Sequence, residues 1–486
     1  MNAVTGLLRP AWCGQRCTRV HVVGWLGSVA FAALGLVMAG TPVAAQADLL
    51  TLVRAAPQGS WLRVNQNSIA AVWAPERLRN SWTVQGTEPS RIIGAWSSFA
   101  WDSRRSSLVI YGGGHANYSG NDVYTFNGGT LLWERSSLPS RVVATDLGGG
   151  YTYGYAADGA DNAPASAHTY DNTVYLRLAD RVLTFGGASW NTGDVYLKAD
   201  GRGGHRATGP YLFNPGRAHP DRVGGTSGSG VDPATPGGQM WQNRDALADV
   251  PGVYKPRNFV NGFSDAGLRN GRDVVYVGGA QFGTAMDLYR YTVNDLANPA
   301  LDTWELVGVN WSSVDATDGS AALDTARQWF VRTGDGAVPF LAWDVNRAGA
   351  DNRDVTIVPA DLSGGAPVRF SGHGIAFDQR RQHFLLWGGG GALWLLTPPV
   401  DATVLTGSGW TLQRLTVAAG EVPAAQATSG GVLGKWQYAA ELDVFVGLQD
   451  ELHGQVWIYK PVGWTDPAVQ PPRSGPVRRS PRPAPR

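Results

Sequence analysis

Residues 95–137 read AWSSFAWDSRRSSLVIYGGGHANYSGNDVYTFNGGTLLWERSS. Four short apolar or alternating segments are separated by polar turns, the pattern expected of consecutive antiparallel strands. The second segment ends in Gly112-Gly113-Gly114, the third runs Asp122-Val123-Tyr124-Thr125-Phe126, and the fourth carries Trp133.

The same order recurs along the chain. Residues 166–190 (SAHTYDNTVYLRLADRVLTFGGASW) are followed, after a long insertion, by GPYLFNP (209–215), and a further copy occupies 264–307. Residues 370–415 contain FSGHGIAFDQRRQHFLLWGGGGALWLL and then SGWTLQRL, and a weaker copy at 319–358 surrounds RQWFVRTGDGAVPFLAWDV. The last copy, at 430–461 (GGVLGKWQYAAELDVFVGLQDELHGQVWIYKP), has three strand segments and no fourth. SWLRV (60–64) resembles the fourth-strand segments and is the expected donor. A ring of four-stranded sheets closed in this way leaves few exposed edges. The expectation is an all-β, six- or seven-bladed propeller closed by its N-terminal strand, with any seventh blade hidden in 67–94 or 214–260.

A second strand ending in Gly-Gly, a third with Tyr and a fourth led by Trp resemble the repeats of kelch and galactose-oxidase-like β-propellers. The likeness covers nearly all of residues 50–464. It implies that the Tyr and Trp side chains fill the wedges between blades. It also implies that the second-to-third-strand loops and the entries to the first strands share the funnel face.

The chain has 486 residues, with 64 glycines, 29 prolines, 20 tryptophans and 16% charged residues, a turn-rich composition with a large core rather than a disordered one. Arg9, Arg16 and Arg19 precede an apolar run at 22–40 and the small-residue pattern Ala45-Gln46-Ala47, so residues 1–47 read as a signal peptide cleaved after Ala47. The alternative is an uncleaved anchor, the one route to a membrane. Both cysteines, Cys13 and Cys17, lie in this leader, which removes disulfides, thiolate metal sites and cysteine nucleophiles from the mature chain. Residues 48–468 form the expected propeller. Residues 469–486 (VQPPRSGPVRRSPRPAPR), with five arginines, six prolines and no acid, read as a disordered basic tail. The expected location is secreted or periplasmic and the expected state a monomer without nucleic-acid partners.

The mapping implied by the likeness brings five histidines to the funnel face. His115 and His453 fall in second-to-third loops, His205 in the insertion KADGRGGHRATG, and His168 and His373 at first-strand entries. A histidine at such an entry either packs between blades or serves the face. His383 maps to the opposite face, and His219 is unassigned. Asn117, Tyr118 and Asn121 share the His115 loop; Arg141, the YTYGY cluster (151–155), Trp190, Asn191, Gln281, Asp450 and Glu451 lie nearby in the mapping. Aromatic rings among amides and charges suit sugars, whose C–H faces stack while their hydroxyls need paired partners. His168, His373, His205, His453, Asn117, Asn121, Trp190 and Asn191 are therefore candidate glycan-binding residues.

The copper-radical chemistry implied by the galactose-oxidase likeness needs a cysteine that the mature chain lacks. No compact metal-ligand spacing is present, so no metal or cofactor is expected. β-Elimination on a uronic-acid polymer, as in some secreted propeller lyases, needs no cofactor. It calls for a base near neutrality, a proton donor and a cation facing the enolate. His115 is the candidate base, Tyr118 or Tyr151 the donor, and Arg202 or Arg206 the carboxylate clamp. The alternative is a non-enzymatic glycan- or protein-binding scaffold at the cell envelope. A weaker one is hydrolysis by paired carboxylates such as Asp450 or Glu451 with Asp122.

Overall fold

The computed structural model describes residues 48–467 except 80–87, 147–151, 191–192, 194, 227–233, 246–258, 282–283, 286, 313–316, 335–339, 366–367 and 426–429. The leader and the basic tail lie outside the described residues, as do Tyr151 and Asn191.

The described chain is a six-bladed β-propeller. Blade 1 contains Phe99–Asp102, Ser107–Tyr111, Val123–Asn127 and Leu132–Arg135, in that order from the axis outward. Blade 2 contains Thr173–Leu176, Arg181–Thr184, Tyr211–Phe213 and Trp241–Asn243. Blades 3 and 4 span Phe263–Gly308 and Ala321–Ile357, and blade 5 spans Gly374–Arg414, with Ala360–Asp361 added in parallel at its edge. Blade 6 takes Trp436–Ala439, Val444–Gln449 and Gln455–Lys460 from the C-terminal end and Ser60–Arg63 from the N-terminal end. The last two strands are antiparallel, with Trp61 opposite Tyr459. The innermost strands neighbour one another in cyclic order, blade 6 returning to blade 1.

The described part of 214–260 holds no seventh blade; it supplies the outer strand of blade 2. The described part of 67–94 forms two 3₁₀ turns and the short helix Arg91–Gly94. Among the described residues no helix is long and apolar enough to cross a membrane.

Six main apolar clusters lie one between each adjacent pair of blades. The period of two along a strand explains why whole segments are apolar. In Ser107–Tyr111, Leu108 and Ile110 pack toward blade 6, whereas Val109 and Tyr111 pack toward blade 2. Trp61 seals the wedge between blades 5 and 6, its ring centroid 5.4 Å from Trp387, 5.6 Å from Trp436 and 5.3 Å from Tyr459.

The inner hairpins share a polar device. Asp102, Asp324 and Asp378 end their innermost strands and accept turn amides. Each then pairs with the arginine three residues on, at 2.6, 2.8 and 2.7 Å. Replacing Trp61 by Ala empties a buried aromatic site and is expected to cost about 3–5 kcal/mol in urea unfolding. A loss under about 1 kcal/mol would mean that Ser60–Arg63 contributes little to holding the last blade.

Candidate functional site

The upper end of the axis is built from the six entries to the innermost strands. Two or three residues before each strand begins, one residue adopts a left-handed backbone: Trp96 (φ 35°), Tyr170 (46°), Asn261 (51°), Asp318 (52°), Gly372 (71°) and Leu433 (49°). Five of the six are not glycine, at roughly 1–2 kcal/mol each. Hydrogen bonds lace these turns together. Tyr170 N–H donates to Trp96 O (2.7 Å), Gly372 N–H to Asp318 O (2.7 Å), Val432 N–H to Gly372 O (2.7 Å) and Gly434 N–H to Tyr170 O (3.3 Å).

On this rim the Trp96, His168 and His115 rings form a row. Ring centroids are 5.1 Å apart for Trp96 and His168 and 5.5 Å apart for His168 and His115, with Tyr170 6.0 Å from His168. Trp96 Nε1 donates to Asp318 Oδ1 (3.0 Å). His115 is exposed and itself left-handed (φ 36°), and a Cβ on Gly193 would lie 2.4 Å from its ring. Asn117 Nδ2 donates to His115 O (3.1 Å), which orients the amide, and lies 3.0 Å from His168 Nε2. His168 Nε2 is therefore the acceptor, and this ring is the neutral tautomer with its proton on Nδ1. Burial lowers the His168 pKa to about 3, helped by the neighbouring His115; burial also lowers His115. Both imidazoles are uncharged at neutral pH.

Lys435, just before the innermost strand of blade 6, is fully buried below this row. Its Nζ lies 3.3 Å from Ser97 O and 3.4 Å from Ser97 Oγ. Burial lowers its pKa to about 7, opposed by the charge of Glu451. Glu451 is 3.6 Å from Arg91, and Asp450 accepts from the exposed His453 at 2.8 Å.

The loop face differs from the expected face in several places. Tyr118 is buried, with its hydroxyl on Asp122 Oδ1 (2.9 Å), and Tyr124 holds the other oxygen of that buried carboxylate. Tyr118 cannot reach a bound polymer, nor can Asp122. Asn121 is buried as a strut, accepting from Ser140 N–H (2.8 Å) and donating to Pro164 O (3.0 Å). Trp190 is buried against Gly154, where any Cβ would strike its ring. His205 and Arg206 belong to a hairpin, Leu197–Ala199 with His205–Ala207. There His205 meets Tyr153 edge-on, and Arg206 pairs with Asp245 at 2.6 Å. Arg202 is exposed at the hairpin tip. His373 packs edge-on against Phe370, its Nε2 turned toward Gly388. Of the predicted residues, the contacts join His115, Asn117 and His168; Trp96, Tyr170, Asp318 and Lys435 were missed. The left-handed turns that align the missed residues have no signature in a strand pattern.

Below the rim, the innermost strands and their turns line an axial chamber of about 680 Å³, open toward the first-to-second-strand turns. Asp171 and Asp265 lie within it, beside Trp101, Tyr175 and Trp436. Burial raises both carboxyl groups, Asp265 to about 6, and the charge of Asp265 raises Asp171 further. Among the described residues no group of three or more His, Cys, Asp or Glu is arranged to hold a metal ion.

No protein-family model and no curated protein matches the chain. Among solved structures, the chain is similar to an alpha-L-arabinanase of Penicillium chrysogenum complexed with arabinobiose. The identity is 12% and the TM-score 0.21, over 61% of this chain and 86% of that one.

Lys435 carries a pH signature. Its folded pKa lies below the unfolded value of about 10.4, so between pH 7 and 10 the unfolded chain binds more protons and stability rises with pH. Relative to Lys435→Met, the wild type is expected to gain up to about 1.4 kcal/mol per pH unit across that window in urea unfolding. Parallel profiles for the two proteins would contradict the buried position.

Proposed function

We propose that this protein is a secreted or periplasmic, monomeric, kelch-like propeller that binds polysaccharide through the loop face around His115. The observation that carries the reading is the Trp96–His168–His115 row, exposed at His115 and flanked by the Asn117 amide. Uncharged rings beside fixed amide and imidazole groups suit a sugar, which stacks its C–H face and needs directional partners for its hydroxyls. The strained rim residues support it, because such backbone collects where a rigid scaffold must present side chains at set angles.

A second reading, β-elimination on a uronic-acid polymer, is favoured by one feature. Partial desolvation of the His115 ring lowers its pKa from the ordinary imidazole value, so the uncharged ring can accept a proton at neutral pH. Tyr118 is unsuited as the donor, and Arg206 is engaged by Asp245.

Binding to a panel of neutral and uronate polysaccharides tests the first reading. His115→Ala and Trp96→Ala are each expected to raise the Kd of the preferred glycan about tenfold, roughly 1.4 kcal/mol. Unchanged affinity in both variants would move the site elsewhere. A rise of unsaturated-uronide absorbance with the wild type, abolished in His115→Ala, would establish the second reading.

A further inference from the structure

The axial chamber faces away from the loop face and is used by neither reading above. Its inner wall is acidic: Asp171 is 6% exposed, and Asp265 stands on the neighbouring innermost strand. Their described hydrogen bonds come from backbone amides alone. Ala321 N–H donates to Asp171 (2.7 Å), and Leu323 and Ala266 N–H donate to Asp265 (2.8 and 2.7 Å). Among the described residues no guanidinium or ammonium group pairs with either carboxylate. The two arginines of the lining belong to its mouth. Arg177 is exposed there, and Arg380 is held by Thr465 Oγ1 (3.1 Å) and Asp443 (3.5 Å). Glu441 is tied to Trp101 Nε1 (2.6 Å), and Asp273 to the amides of Leu178 and Ala179.

Two carboxylates facing one enclosed space without a counter-charge repel one another, and a cation between them removes that cost. The walls select the kind of cation. Trp101, Tyr175 and Trp436 offer ring surface, which favours a planar, weakly hydrated guanidinium with five donors over a compact, strongly hydrated ammonium.

Pro467, the last described residue, itself lines the chamber. Beyond it the sequence holds Arg473, Arg478, Arg479, Arg482 and Arg486 among six prolines, with no acid. Six residues of extended, proline-rich chain cover about 19 Å. From the turn end of the Phe263–Arg269 strand to Asp265 is four residues, about 13 Å. Arg473 is thus within reach of the acidic wall.

We infer that the axial chamber is a binding site for the guanidinium group of an arginine in an extended, proline-rich peptide segment, received between Asp171 and Asp265. The segment is residues 469–486 of this chain, whose sequence follows the mouth-lining Pro467. The site is distinct from the loop face, so glycan binding can fail while this holds, and the reverse.

The probe is a synthetic peptide of residues 469–486, titrated calorimetrically into the full chain with its five tail arginines replaced by Ser. Micromolar binding is expected. It should weaken at least tenfold with Asp265→Asn, or with Asp171→Asn should the first variant fail to fold. The same peptide with citrulline at every arginine keeps the shape without the charge and should bind at least tenfold more weakly; it needs no change in the protein. With its own segment in place, the unaltered full chain binds the peptide at least tenfold more weakly than the Ser variant. Equal binding by both would overturn the tail as the occupant and assign the chamber to a separate peptide. Absence of binding to the Ser variant, or equal binding of the arginine and citrulline peptides, would overturn the inference.

Discussion

Every innermost strand is entered through a left-handed residue, and the architecture of both ends of the axis depends on that constraint. Six strands converging on one axis leave no room for extended chain to arrive side by side. Each connection must therefore turn sharply just above its strand. The left-handed residues make that turn, and several of their amides and carbonyls bond to those of other entries. The upper end is consequently laced together by backbone hydrogen bonds, while the opposite end stays open as a chamber.

The lacing has chemical consequences. It holds Trp96, His168 and Tyr170 on a rigid rim, and it buries Lys435 where Ser97 and the charge of Glu451 offset part of its desolvation. Below it, Asp171 and Asp265 line the chamber, and among the described residues their hydrogen bonds come from backbone amides. One cation and two carboxyl groups are thus buried near the axis, each with its pKa moved toward the neutral form. The cost is met by the six inter-blade wedges, between which the second and third strands of the blades bury most residues on both faces.

Much of the architecture was legible because a strand buried on both faces repeats as an apolar run bounded by turn residues. The copies at 95–137, 264–307, 319–358 and 370–415 correspond to blades 1, 3, 4 and 5, and SWLRV supplies the strand that 430–461 lacks. Blade 2 was harder to read, since Leu197–Ala207 and a long connection separate its strands. The site was much less legible. Tyr118, Asn121 and Trp190 look like exposed loop residues, but their loops fold inward, and the partners that bury them are up to 43 residues away. Arg206 looks free until Asp245, 39 residues on, closes over it.

The sequence by itself determined the sheet class, the repeat, the donor of the missing strand and His115 as an exposed loop residue. Each follows from local periodicity and turn chemistry, which act over a few neighbouring residues. Tertiary structure alone decided the blade number, the Trp96–His168–His115 row, the burial of Lys435 and the acidic chamber. These arise where six distant entries meet on one axis, and hydrogen-bond satisfaction and desolvation there depend on groups that no local pattern brings together.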